Sequence, residues 1–503
     1  MSPRMLLIAA ALTALTTAAG EVRQLSLEDC LQLAIEKNLG LRIARYDPRL
    51  AAVSLHAAYA PYDPTFDSTV GQSFRTSPKP PVVNPTVFTP TTSSEIWDDQ
   101  YSLSLAGLAP SGLTYSLTAG LDRNGVTSTQ HLLTNNLTTS YPLSYNDSVS
   151  LSLRQPLLKD FWIDGTRLNI SLAKNTLKQT QESYRGSLLD LCLSVTKSYY
   201  DLIATQDGIR VQTAALELSE RSLAENHKKV EVGAMAPLEE KQAEAQVASR
   251  RADLIVARER YDRAVNIIKN LTSDDFSSLD GSGIRPAGAL EAIPEVFNRQ
   301  DSWHKALTLR PDILQEKLTL ESWHVSLKYD RNQLFPQLDL TGGYGLVGNQ
   351  LHLDPVLGDI GDRANPKFSY GIEFKVPLSN RQAKDRIKRD RLQLERELLF
   401  YKRLEQNAMK EVDDDILGAQ SALERVAATK AAQIYAVAAL DAEQKKLENG
   451  KSTSFNVLQL QRDLVTAEST AIQALTDYNK ALVDLARAEG TLLDRLKISV
   501  TMQ

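Results

Sequence analysis

Cysteine is almost missing: Cys30 and Cys192 are the only two in 503 residues. So few exclude a disulfide scaffold and the cysteine-based zinc frameworks. Both sit in helical pattern among apolar neighbours, which favours buried free thiols over a bridge. Beyond the N-terminus there is no run of about 18 apolar residues, so no membrane-spanning helix is expected. If the chain crosses a membrane it must do so as a β-barrel, the other structure that satisfies its own backbone. Basic residues are not in excess: 57 Lys and Arg face 62 Asp and Glu, a net charge of −5. That leaves no footprint for nucleic acid.

The six histidines are 56, 131, 227, 304, 324 and 352. Trp303-His304 and Trp323-His324 echo each other, but no Cys/His/Asp spacing supplies converging ligands, and packing or surface roles fit them better. Five methionines are too few for a copper or silver cluster. No phosphate-cradling glycine loop, nucleophile elbow or acid–base carboxylate pair occurs. Gly342-Gly343-Tyr344-Gly345 follows a strand, yet no helix opens after it. The chain reads as a non-enzyme with no cofactor and no metal.

What is present begins with a leader. Arg4, the apolar stretch Met5 to Leu15 and the small residues Thr16 to Ala19 have the order of a signal peptide, assigned to 1–19. Residues 20–61 follow as N-terminal helices. Leu25 to Leu39 has helical spacing with Ser26 as N-cap. Leu41 to Tyr59 reads as a second helix, with a possible interruption at Pro48. The texture then changes over 62–156. Phe66 to Phe74, Tyr101 to Leu105, Leu113 to Leu117 and Val149 to Leu153 alternate apolar with polar, the period of a strand. Pro/Thr/Ser/Asn-rich segments separate them.

Long helices come next. Gly165 to Val230 contains no proline, and Leu188, Val195, Leu202, Ile209, Leu216, Leu223 and Val230 recur every seven residues, a supercoiling seam. A return helix runs to about Leu271, closing a first hairpin over 157–271. A loop-rich linker covers 272–308 and a helix 309–334. A strand pair occupies 335–378. A second hairpin fills 379–496, and 497–503 is a tail. In the last helix the seam is Val457, Leu460, Leu464, Ala467, Ala471, Ala474, Tyr478, Ala481, Leu485, Ala488 and Leu492, all apolar. The two hairpins read as copies. Lys228 to Gly233 aligns with Lys445 to Gly450, and at the same offset Gln242 meets Gln459 and Tyr261 meets Tyr478. Each glycine suits a left-handed turn between helices. Helices of roughly 65 to 70 residues at about 1.5 Å each are on the order of 100 Å long, too long for one globular domain. Asp413-Asp414-Asp415 admits a cation site, but on a helix of this kind a solvated face is the default reading. The basic run Arg381, Lys384, Arg386, Lys388, Arg389 and Arg391 suits lipid headgroups or, if the strands close into a barrel, its mouth, as well as a plain exposed face.

The order of these elements, with the phrases Leu25 to Ala34, Gln155-Pro156-Leu157-Leu158, Leu309-Arg310-Pro311-Asp312, Phe335-Pro336-Gln337-Leu338 and the two Glu-x-Gly tips, resembles the TolC family of outer-membrane efflux and secretion channels. The resemblance implies an α+β membrane fold: a trimeric outer-membrane β-barrel continued by a long periplasmic α-helical coiled-coil barrel, internally duplicated. It implies a homotrimer in outer-membrane lipid. The tips Val232, Gly233, Ala234 and Asn449, Gly450, Lys451 would dock a periplasmic adaptor protein and, through it, an inner-membrane pump of a tripartite efflux or type I secretion system. A periplasmic adaptor or a coiled-coil scaffold is the competing reading. Against these stand the two hairpins and the strand pairs with long loops.

Two departures appear. The first strand region holds four strand-like segments, with a tight turn at Ala109-Pro110-Ser111-Gly112, where the family minimum is two. The count admits six crossings per chain, or four and a hairpin folded elsewhere. The uniformity of family barrels favours four. The periplasmic gate positions, by resemblance, are Asn456 and Gln459 for the family's Asp rings, and Leu447 and Ser452 for its Tyr/Arg latch. Glu239 alone keeps a carboxylate. Amides cannot supply an acidic ring, so the expectation is a gate held by packing and adaptor contact.

Overall fold

The structure is a computed structural model that describes residues 23–78, 83–84, 87–88, 91–131, 136–233, 235–277, 283–363 and 365–498. The leader, Ala234 and residues 499–503 lie outside them. The chain divides into two compact units.

The first unit is Leu50–Leu177 with Leu318–Leu398. It contains one six-stranded sheet: β1 (Thr65–Pro78), β2 (Thr91–Leu108), β3 (Thr114–His131), β4 (Asn136–Pro156), β5 (Gln337–Gln350) and β6 (Pro366–Lys375). Every neighbouring pair is antiparallel, in the order β6-β5-β4-β3-β2-β1. This corrects the expected four strands. β2 and β3 pair along their whole length, from Thr91↔His131 to Leu108↔Thr114, so no hairpin is set aside. Local alternation identified these segments as strands but carried no information on their partners. The tight turn is as read. Gly112 donates its N–H to the Ala109 carbonyl at 2.9 Å and has φ +86°, and a Cβ there would come 2.8 Å from the Asp160 carbonyl oxygen. Between β5 and β6 the expected loop contains a short helix, Leu353–Gly361, packed on β4 and β5.

The foot of the sheet is tied down by polar side chains. The Leu157 N–H donates to the Leu338 carbonyl at 2.7 Å. Asn332 accepts from the Asp160 N–H at 2.8 Å and donates to the Leu158 carbonyl at 3.3 Å. These bonds hold Asp160, at φ +64°, in a conformation that L-residues avoid. Asp164 then caps helix α1 (Gly165–Glu231), accepting from the Arg167 N–H at 3.1 Å.

The second unit takes the described residues within Met1–Arg49, Lys178–Lys317 and Leu399–Gln503. Its long elements are the greater part of α1, then α2 (Pro237–Thr272), most of α3 (Arg381–Glu448) and α4 (Ser454–Ala488). Ser26 caps Leu27–Lys37 in a capping box with Asp29. The next helical stretch is broken at Arg45, into Leu39–Ala44 and Tyr46–Ala57. Pro48 then sits in a first turn, where its missing N–H is harmless. Pro311 acts alike: the helix expected from Leu309 is two, Arg299–Leu309 and Pro311–Asn332. The linker also holds a strand, Ile284–Pro286, parallel to Arg23–Leu25. The last helix stops at Ala488 because Gly490 turns at φ +76° against the Leu309–Arg310 backbone.

The core of this unit is the seam. Leu188, Val195 and Leu202 are buried with Cys30, Cys192 and Ile268. Both cysteines are free thiols, and burial pushes their pKa values up to about 11 and about 12. All eleven seam positions of the last stretch are buried or half-buried.

Candidate functional site

The sheet carries two opposite faces, and residue pairing defines them. One row runs Phe66↔Leu105↔Leu117↔Leu151↔Tyr344↔Phe368 across all six strands. The next row runs Asp67↔Ser104↔Thr118↔Ser150↔Gly345↔Lys367. The first is wholly apolar and the second has no large apolar side chain. Because side chains alternate across a strand, the two rows lie on opposite faces. The six apolar side chains of the first row are between 39% and 74% exposed. An exposed apolar row that crosses all six strands marks an interaction surface. On a long-stranded antiparallel sheet it is the pattern of a surface meant for lipid.

Polar groups mark the limits of this band. On the apolar face Arg123 pairs with Asp99 at 3.2 Å. Just beyond, toward the strand ends, Phe74 and Trp97 stack with centroids 4.3 Å apart, an aromatic margin such as interfaces favour. On the opposite face Asp339 is fully buried. It accepts from Arg154 Nε at 2.8 Å and from Gln337 at 2.7 Å.

The hairpin tips lie in the other unit. Gly233 has φ +73° and Gly450 φ +68°, the left-handed turn expected of both. At the second tip Gly450 donates to the Leu447 carbonyl at 3.0 Å and Lys451 to the Lys446 carbonyl at 2.8 Å, a Schellman closure. At the first, Gly233 donates to the Val230 carbonyl at 3.0 Å. Val232 is exposed, as are Asn449 and Lys451.

The gate positions separate into two groups. Ser452 donates to Glu443 at 2.6 Å, and Asn456 donates to Ser452 at 3.4 Å. Glu443 also takes Lys446 at 2.9 Å. Ser452 and Lys446 hold its carboxyl below the usual carboxylate range. Gln459 reaches only Asp463, at 3.3 Å and one turn along its own helix. Leu447 is half-buried. Glu239 sits in the first turn of α2, where a negative charge suits the helix dipole. Sequence reasoning missed Glu443, which lies before the tip glycine and meets Ser452 only once the chain has turned. It also missed His227. Its ring bonds Glu240 of α2 at 2.7 Å and Glu231 lies 3.3 Å away; Glu240 first, then Glu231, raise its pKa.

The Asp413 triplet is not one solvated face. Asp413 accepts from Arg299 and from the Trp303 indole at 3.0 Å. Asp414 takes Lys410 at 2.5 Å. Asp415 is driven up to about 6, by burial first and then by Asp484 and Glu411. Among the described residues no helix is long and apolar enough to cross a membrane, which says nothing of the sheet.

The chain is similar to known proteins along most of its length. The family profile described as outer membrane efflux protein matches residues 96–273 and 303–491. The outer membrane protein TolC of Vibrio cholerae is 23% identical over 375 residues, covering 72% of this chain and 82% of that one. The pyoverdine export outer membrane protein OpmQ of Pseudomonas aeruginosa is 25% identical over 347 residues, 68% and 70% of the two chains. Among solved structures, the Campylobacter jejuni CmeC outer membrane channel superposes with a TM-score of 0.64 at 16% identity, covering 93% of this chain and 86% of that one. With nearly three-quarters of its residues inside the matched segments, this chain belongs to the outer membrane efflux protein family.

Proposed function

We propose that three copies of this outer-membrane channel protein form a passive export duct: a shared β-barrel in the outer membrane, continued through the periplasm by the paired long hairpins. The family is one of transport ducts, not an enzyme class. The observation that carries the reading is the six-strand row Phe66 to Phe368, apolar and exposed, in a chain that also holds two long helical hairpins. Residues 62–156 and 335–378 would be the barrel regions, 157–271 and 379–496 the hairpins, and 20–61, 272–308, 309–334 and 497–503 the material around them. The tips Val232, Gly233, Ala234, Asn449, Gly450 and Lys451 would meet a periplasmic adaptor protein joined to an inner-membrane pump, which supplies the energy.

The resting gate would be closed by packing and adaptor contact. In support, Asn456 and Gln459 spend their amides on Ser452 and Asp463 of their own tip and helix. The Glu443–Ser452–Asn456 chain stiffens one tip. Single-channel recording of purified protein in a planar bilayer tests the duct: discrete, long-lived steps are expected, and folded trimer that never conducts, even with the tips deleted, would sink it. Asn456→Ala should change leak conductance by no more than about fivefold, since an exposed side-chain bond contributes at most about 1 kcal/mol. A tenfold leak would overturn the packing gate.

A further inference from the structure

We propose that β1 of one chain pairs antiparallel with β6 of the next, so that three chains enclose an eighteen-stranded barrel. The number three rests on the duct reading above; six strands per chain is the structure's own count.

The sheet ends at β1 and β6, and among the described residues neither edge has a partner. Both edges lie in the apolar band. Phe66, Val70 and Phe74 on β1 and Phe368, Tyr370, Ile372 and Phe374 on β6 are all exposed. In hydrocarbon each unpaired N–H or C=O costs several kcal/mol, so open edges do not survive there. The chain cannot close on itself, because the smallest such barrels have about eight strands. The edges fit copies of each other in three respects. In a six-strand antiparallel meander the first and last strands run oppositely, so a β1–β6 junction continues the pattern. The large apolar residues of both edges are all even-numbered, every second even position on β1 (Phe66, Val70 and Phe74, with Ser68 and Gln72 between them) and each one from Phe368 to Phe374 on β6, whereas odd-numbered ones are polar or small (Asp67, Thr69 and Ser73; Lys367, Ser369 and Glu373), so the junction keeps the same faces on the same sides. The strands are 14 and 10 residues long, as long as a tilted membrane crossing needs.

A four-strand alternative would leave β1 and β2 beside the barrel. That would expose Val70, Phe74, Leu103 and Leu105 to water and break the full-length β2–β3 ladder. Size is the consequence. Strands about 4.8 Å apart and tilted about 40° take roughly 6.3 Å of circumference each. Eighteen then give a barrel about 36 Å across, in the class of the large porins, against about 24 Å for twelve. The outer mouth would pass bulkier cargo than a twelve-stranded one.

Cross-linking in outer-membrane vesicles tests this. Val70→Cys is combined in turn with Tyr370→Cys, Ile372→Cys and Phe374→Cys in the full chain and oxidised, with single-cysteine variants as controls. One combination should yield covalent trimers, the β1–β6 junction. Leu117→Cys on β3 with the same three β6 positions should yield none. Trimers through Leu117→Cys instead would overturn the eighteen-strand barrel and leave the trimeric duct standing. Covalent dimers as the largest product would give twelve strands and sink the trimer itself. As a check independent of any substitution, single-particle imaging of unmodified protein should count eighteen strands and a barrel near 36 Å; twelve strands would overturn the proposal.

Discussion

The two units bury opposite kinds of residue. In the helical unit Leu202, Ile268, Leu485 and Tyr478 are inside, and a few charged side chains, Arg310 among them, are buried with them. Arg310 grips Asp312 with a two-pronged contact at 3.0 and 2.9 Å and reaches Glu411 at 2.6 Å. Glu411 in turn takes Arg487 at 2.6 Å. In the sheet the large apolar side chains are outside, and the buried groups include Asp99, Asp147 and Asp339. A helical bundle in water hides oil, whereas a sheet meant for lipid shows it. The same residue types therefore have opposite meanings in the two units, and a substitution reports which solvent a face was built for.

The largest effect should come from the helical cluster. Arg310→Ala would take both charged hydrogen bonds from Asp312, leave Glu411 with Arg487 alone and empty the buried space of the Arg310 side chain, at about 2–4 kcal/mol. Chemical unfolding of the detergent-solubilised protein reads this, and a loss under about 1 kcal/mol would show the cluster to be solvated. Next comes the sheet. Leu105→Arg places a charge in the all-apolar row and should cost about 2–4 kcal/mol in bilayers, as at a membrane midplane. Ser104→Arg, one residue away on the polar face and opposite Asp67, should cost under about 1 kcal/mol. Equal effects for the neighbours would mean the apolar face does not meet lipid.

Much of this was legible because it is local. Alternation marked the strands. The seven-residue seam marked the long helices, and the two glycines marked the tips. Proline explains the breaks at Arg45 and Arg310 once it is read as a first-turn residue. What stayed hidden depends on pairing between distant segments. Nothing local says that β4 meets β5, as in Leu151↔Tyr344, so alternation alone could not say how many of these strands share one sheet. The Glu443 and His227 contacts were hidden likewise, since their partners Ser452 and Glu240 lie across a turn. Arg310 lies beside Pro311 and Asp312 in sequence, but its partner Glu411 is about a hundred residues away and unmarked.

A smaller contrast lies within the helices. Gly450→Ala and Gly208→Ala both add a Cβ into open space. At φ +68° the first should lose about 1–2 kcal/mol of tip stability through the backbone alone. The second, inside α1, should gain about 0.5–1 kcal/mol. Hydrogen exchange at each site separates the two, and a shared sign would show that the tip does not need the left-handed turn.

The smallest effect concerns charge that the sheet-bearing unit buries outside its strands. Asp330, near the end of helix Pro311–Asn332, is 3% exposed. Burial and a hydrogen bond to Asp390 raise its pKa to about 6, while Arg386 and Arg389 pull it down. A carboxyl whose pKa is higher folded than unfolded favours the protonated fold. That contribution is complete below about pH 4 and is lost as pH rises through about 6. The unit should therefore gain on the order of 1 kcal/mol between pH 7.5 and pH 5. Asp330→Asn keeps a donor toward Asp390 and needs no proton. It should raise the melting temperature at pH 7.5 and lose that advantage by pH 5. Parallel melting curves for the two proteins from pH 5 to 8 would show instead that the Arg386 and Arg389 guanidinium groups already neutralise the pair.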